Sequence, residues 1–185
     1  VARLVAAYKT VPMGDPLEEG TLLGPLHTKA AVKEYTDGLE AIVAEGGKIL
    51  CGGSPVDRPG NYVQPTIVET PASAEILKTE LFVPILHVIK VSSFEEAVAA
   101  NNSVPQGLSS SIFTNDMKKV FRWIGPRGSD CGLVNVNVGT SGAEIGGAFG
   151  GDKLGLVDGG EFSGHGSAPS GDRLRLIGRF HAARE

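Results

Sequence analysis

The chain has 185 residues, 41% of them hydrophobic and 21% charged, with a formal net charge of -4, which suits one domain with a buried core. That charge argues against a general nucleic-acid binder, which needs clustered Lys and Arg, and no apolar run approaches the roughly 18 residues of a membrane span. Two cysteines, Cys51 and Cys131, are too few for a disulfide framework and imply a reducing compartment, the cytoplasm or the mitochondrial matrix.

The first residues read as helix, with Val1, Leu4, Val5 and Tyr8 on one face. No Met stands at position 1, so a chain that opens inside a helix reads as a piece of something longer. Residues 28–45 predict a strong helix. Val32, Tyr35, Leu39, Ile42 and Val43 recur at helical spacing, Gly38 weakens it by about 1 kcal/mol relative to Ala, and Gly46-Gly47 stops it. Lys48 to Leu50 is a short strand, residues 54–61 are a loop, and Tyr62 to Glu69 is a strand that Pro65 demotes to an edge or a break. Val83 to Val91 is nearly continuous in apolar residues, as in a strand buried on both faces of a parallel sheet. Ser93 with Glu96 forms a capping box before a short helix.

Ser109 to Thr114 is a further strand. Asn115 caps a helix carrying Met117, Val120, Phe121 and Ile124 on one face, and Gly132 to Val138 is the last strand. Strands alternating with helices predict an α/β fold with a mainly parallel sheet and flanking helices. The composition then changes: 14 of the 26 glycines lie in the last 54 residues. Residues 139–153 form a glycine-rich loop, and residues 154–185 are a Gly- and Arg-rich tail with no Lys, expected to be irregular.

The glycine-rich loop invites a phosphate-cradle reading, which its spacing refuses. A P-loop needs Lys after the second glycine of its frame; counting from Gly146, that place holds Asp152. The dinucleotide fingerprint fails too, because Gly164 and Gly166 are followed by Pro169 where the third glycine belongs. Such a loop can still offer backbone N–H groups to a carboxylate or oxyanion. Cys51 and Cys131 lack a sequence-local base that would make a thiolate, and Cys131 reads as a small buried residue. His27, His87, His165 and His181 have no metal-ligand spacing, and His87, within an apolar strand, reads as a hydrogen-bonded core residue. Trp123 reads as core. Glu80, at the entrance of the apolar strand and beside Phe82, could accept hydrogen bonds from ribose hydroxyls; its residue chemistry alone favours a helix or loop charge facing water.

At Glu80-Leu81-Phe82-Val83-Pro84 the chain resembles the Glu-x-Phe-Gly/Ala-Pro motif of the aldehyde dehydrogenase superfamily. Phe149-Gly150-Gly151-Asp152-Lys153 resembles that superfamily's Phe-Gly-Gly-x-Lys loop. Gly24-Pro25-Leu26-His27-Thr28-Lys29, Gly128-Ser129-Asp130-Cys131-Gly132 and the run from Thr140 to Gly151 are similar to the antiquitin branch, whose members are α-aminoadipic semialdehyde dehydrogenases. The similarity covers residues 1 to about 153, expected to be part of an aldehyde dehydrogenase catalytic domain, its later portion. It implies NAD as cofactor, with Glu80 on the nicotinamide ribose hydroxyls and Phe82 near the nicotinamide. It also implies a small aldehyde substrate, with Gly142 and Ala143 offering N–H groups to its carboxylate and Phe149 lining the aldehyde tunnel.

In this family a Cys thiolate attacks the aldehyde, and the resulting thioester is hydrolysed to a carboxylate. The resemblance places that Cys, the general base and the NAD-binding half upstream of residue 1, so no catalytic residue and no metal ligand is expected here. The expected partners are the remainder of a parent chain and further copies in a homo-oligomer. Gly139 stands where the branch has Pro, and the similarity nearly vanishes after Lys153, as a frame shift or alternative splice would produce. The alternative reading is a free-standing, non-catalytic remnant or partner-binding module.

Overall fold

Thr28 starts the longest helix, its hydroxyl accepting the Ala31 N–H at 3.1 Å as an N-cap. In the computed structural model, which describes residues 1–141, two units divide between Lys90 and Val91. The first unit runs α1 (Ala2–Tyr8), α2 (Lys29–Ala44), β1 (Lys48–Cys51), β2 (Thr66–Glu69), a 3-10 turn (Glu75–Lys78) and β3 (Ile85–Val88). Helix α2 ends as Gly46-Gly47 predicts. Gly46 has φ 89, its N–H reaches Val43 O, and the Gly47 N–H reaches Ile42 O, a Schellman closure.

The α2 face that packs inward carries Ala31, Tyr35, Gly38, Leu39 and Ile42. Val43, expected on that face, is 51% exposed, because the buried stripe follows the i, i+4 and i+7 positions of Ala31 and Tyr35 and leaves Val43 at its edge. Tyr35, Leu39, Ile42, Val63 and Val68 form one cluster, with Leu26 and Val83 packed on it.

The sheet order is β1-β2-β3, with β1 antiparallel and β3 parallel to β2. Pro65 breaks the expected strand, which begins at Thr66. The remaining strand is central and not an edge: Thr66, Ile67 and Val68 are fully buried. Strand β3 is shorter than the apolar run and only half-buried, since among the described residues β2 flanks it on one side alone. His87 on β3 meets the Thr70 hydroxyl through Nδ1 at 2.9 Å, as its core reading expects.

The second unit, by itself, carries α3 (Phe94–Asn102), β4 (Ser109–Ile112), α4 (Met117–Ile124) and β5 (Leu133–Val136), with β4 and β5 parallel. Ser93 caps α3 by accepting the Glu96 N–H at 3.0 Å, and Glu96 reaches back to Ser92 N and Oγ. Asp116, not Asn115, caps α4: its Oδ1 accepts Lys118 N at 3.0 Å and Lys119 N at 3.4 Å, so the helix starts one residue later than expected. The inward side of α4 is set by Trp123, which is buried and lies 6.3 Å from the Phe94 ring. Met117 and Phe121, expected to share the inward face, are exposed.

Candidate functional site

Glu80 lies between the 3-10 turn and β3, on a segment fixed from both sides. Behind it, Thr79 N–H closes the turn on Ile76 O. Ahead of it, Leu81 fills the notch left by Gly38, where an added Cβ would stand 2.7 Å from Leu81 Cδ1. The next N–H, of Phe82, donates to Glu34 Oε1 at 3.1 Å. Pro84 O then accepts Thr66 N–H at 2.9 Å and joins the segment to the sheet.

The backbone is thereby held while the Glu80 carboxylate and the Phe82 ring face outward; Phe82 is 62% exposed. A neighbouring open groove between α2 and the 3-10 turn is lined by Lys33, Asp37, Gly38, Ile76 and Leu81; Glu80 and Phe82 are not part of its lining. A pinned backbone that carries an exposed carboxylate and an exposed aromatic ring can accept two hydroxyls of a sugar and cover a flat ring.

Tyr35, on the same helix as Glu34 and Gly38, ties α2 to the start of β2. Its phenol lies 2.6 Å from Thr66 Oγ1 and 2.9 Å from Gln64 O, and it receives the Gly53 N–H at 3.1 Å. Burial raises the pKa of this phenol above its usual value, so it keeps its proton and can donate. Gly52, at φ 75, brings that turn within reach; a Cβ there would lie 2.4 Å from Pro65 O.

In the second unit, the chain leaving β5 is held by side chains. Asn137 has φ 56, the left-handed region that Asn tolerates. Its Oδ1 accepts Thr114 N–H at 2.8 Å and its Nδ2 donates to Thr114 O at 3.0 Å. Gly142, Ala143 and Phe149 lie outside the described residues, as does the tail 154–185. Cys51 is buried in β1 and Cys131 is half-buried just before β5. Among the described residues no cluster of His, Cys, Asp or Glu could hold a metal ion, and no helix is long and apolar enough to cross a membrane.

Reading the residues alone missed Glu34 and the reason for Gly38. The available signal was a glycine on the buried stripe of an otherwise good helix, which marks a close approach and not a weak point.

The second unit carries a parallel β4–α4–β5 arrangement, and the first an exposed Glu-x-Phe segment at the entrance of β3. Residues 1–167 match the aldehyde dehydrogenase family, and the chain belongs to it. It is 62% identical over 151 residues to aldehyde dehydrogenase family 7 member B4 of Arabidopsis thaliana, covering 82% of this chain and 30% of that protein. It is 56% identical over 154 residues to α-aminoadipic semialdehyde dehydrogenase of Bos taurus, covering 83% of this chain and 29% of that protein. A crystal structure of 1-pyrroline-5-carboxylate dehydrogenase from Thermus with bound NAD matches with TM-score 0.75 at 27% identity, over 82% of this chain and 29% of that one. The chain thus spans about 30% of the length of the relatives it matches.

Proposed function

We propose that this chain forms the nicotinamide-ribose and substrate-carboxylate portion of an NAD-dependent dehydrogenase that oxidises a carboxylate-bearing semialdehyde of the aminoadipic type. The observation that carries the reading is the Glu80–Phe82 segment, whose backbone is fixed by Gly38, Glu34 and Thr66 while its functional side chains stay open. The named relatives support it: one is a semialdehyde dehydrogenase and another was solved with NAD.

These residues fit the cofactor. The Glu80 carboxylate, as an acceptor-only group, would hold the two ribose hydroxyls. The Phe82 ring would cover the nicotinamide and keep water from that face. When bound, NAD supplies the two-electron acceptor for the aldehyde carbon. Gly142 and Ala143 would present N–H groups to the distal carboxylate of the substrate, and Phe149 would wall the path to it. Neither Cys51, buried in β1, nor Cys131 suits the nucleophile, so the attacking thiol and the base that activates water would come from outside these residues. Assembly into a homo-oligomer would follow the same family pattern.

The test is NAD binding and NADH formation by the native chain that carries this sequence, with α-aminoadipic semialdehyde. Glu80→Gln is expected to weaken NAD binding about tenfold, the loss of charge-assisted bonds. Undiminished NAD binding in this variant would refute the role of Glu80. The isolated 185-residue chain is expected to reduce no NAD with any aldehyde; turnover would place the nucleophile within it.

A further inference from the structure

Glu34 and Gly38 stand one turn apart on α2 and so share one strip of its surface. The chain that enters β3 meets that strip twice. Leu81 occupies the notch at Gly38, and the next N–H, of Phe82, donates to Glu34 Oε1 at 3.1 Å. Anchors at two successive residues fix where the segment lies and also how it is turned about its own axis. Exposure follows that pattern: Glu80 and Phe82 are exposed, and Leu81 between them is half-buried.

The two anchors are not equivalent. An apolar side chain in a notch resists displacement but tolerates rotation, because dispersion contacts carry no direction. A hydrogen bond weakens steeply as its angle closes, and one to a carboxylate is stronger than a neutral one. The peptide joining Leu81 to Phe82 is therefore oriented by Glu34, and that peptide sets the Phe82 ring relative to the Glu80 carboxylate. Lys33, the cation adjacent to Glu34, pairs with Asp37 one turn further along the helix.

We infer that Glu34 is a positioning residue for NAD. It touches no cofactor in this assignment; by orienting the Leu81–Phe82 peptide it sets the ribose acceptor and the ring that covers the nicotinamide in register with each other. The inference rests on the roles proposed above for Glu80 and Phe82, and it assigns part of the cofactor affinity to a helix that carries neither group. Such coupling is reciprocal, so the Glu34 bond should tighten when NAD is bound.

The experiment is a calorimetric NAD titration of the native chain that carries this sequence, paired with hydrogen exchange at the Phe82 amide. Glu34→Ala is expected to weaken NAD about five- to tenfold, the worth of one hydrogen bond, and to speed exchange of the Phe82 N–H, which NAD should slow in the unmodified chain. Glu34→Gln keeps an oxygen acceptor and should restore most of the affinity. KM for NAD should rise in Glu34→Ala, with KM for the semialdehyde unchanged. Ala is the best helix former, so the loss would not come from unfolding of α2. Asp37→Ala is the control: it removes a carboxylate of the same helix that binds Lys33 and not the segment, and it should leave NAD affinity and Phe82 exchange as they were.

Equal or tighter NAD binding in Glu34→Ala, no recovery in Glu34→Gln, or an equal loss in Asp37→Ala would each overturn the inference. NAD binding that depends on Glu80 but not on Glu34 would sink the positioning role alone and leave the cofactor reading standing. Faster Phe82 exchange in Glu34→Ala, in a chain that binds no NAD, would sink the cofactor reading and reduce the Glu34 bond to a structural tie.

Discussion

Gly38 and Leu81 interlock. The helix gives up a side chain at position 38, and the residue beside Glu80 occupies the space, with only 2.7 Å between Leu81 Cδ1 and the place a Cβ would take. The segment that bears the proposed ribose contact is thus held by packing at the residue next to Glu80. Gly38→Ala should gain about 1 kcal/mol in helix propensity and lose about 1–3 kcal/mol to overpacking. We expect a small net loss in urea denaturation together with several-fold weaker NAD binding. Stabilisation with unaltered NAD affinity would show that Leu81 yields without disturbing Glu80.

The Tyr35 phenol closes a buried node with Thr66, Gln64 O and Gly53 N–H. Tyr35→Phe removes the hydroxyl and leaves Gly53 N–H with Thr66 Oγ1 alone, at 2.9 Å. The expected cost is about 1–3 kcal/mol, read as a lower urea midpoint at constant slope. A changed slope would point to a looser folded or unfolded state.

His87 predicts a pH effect. Burial pushes its pKa below the ordinary 6.5, so the folded chain resists a proton that the unfolded chain accepts. The unfolded state binds more protons in that window, and stability therefore rises with pH there. Stability should be flat with respect to His87 above pH 6.5 and decline as the pH falls below it. His87→Gln should flatten that decline in denaturation curves taken across mildly acidic pH. An unchanged profile would mean other groups carry it.

The cap of α4 separates two adjacent residues. Asp116→Ala should cost about 1 kcal/mol, the usual worth of an N-cap, whereas Asn115→Ala should be near neutral. Thermal melts of the two variants decide it, and equal effects would mean the helix begins earlier.

Met117 and Phe121, one turn apart on α4, are 61% and 66% exposed. The isolated 185-residue chain should self-associate through such apolar surface. Gel filtration should show species larger than a monomer, reduced by Phe121→Ser. A sharp monomer peak from the unmodified chain would count against it.

Much of the architecture was legible along the chain because its signals are local. A capping threonine, a helical stripe and a double glycine define α2, and Ser93 with Glu96 opens α3. Glu80 and Phe82 could be singled out because they belong to a short motif at a strand entrance. The misplacements were also physical. Asn115 and Asp116 are both good caps, and only the backbone turn at Asp116 chose between them. The apolar run 83–91 looked doubly buried because composition reports hydrophobicity and not how many strands flank it.

The sequence by itself determined most of the elements and the family, and singled out Glu80 and Phe82 as candidates, because each depends on neighbours a few positions apart. Only the tertiary structure decided that Gly38 receives Leu81, that Glu34 holds the Phe82 N–H, and that Ser109, Ser111 and Asn135 hold the chain beyond β5. Most of these contacts join residues about 30 or more positions apart, and even the short Asn135–Gly139 bond depends on a left-handed turn between them. Side-chain partners at such separations follow from sheet register and helix docking, which no local pattern encodes.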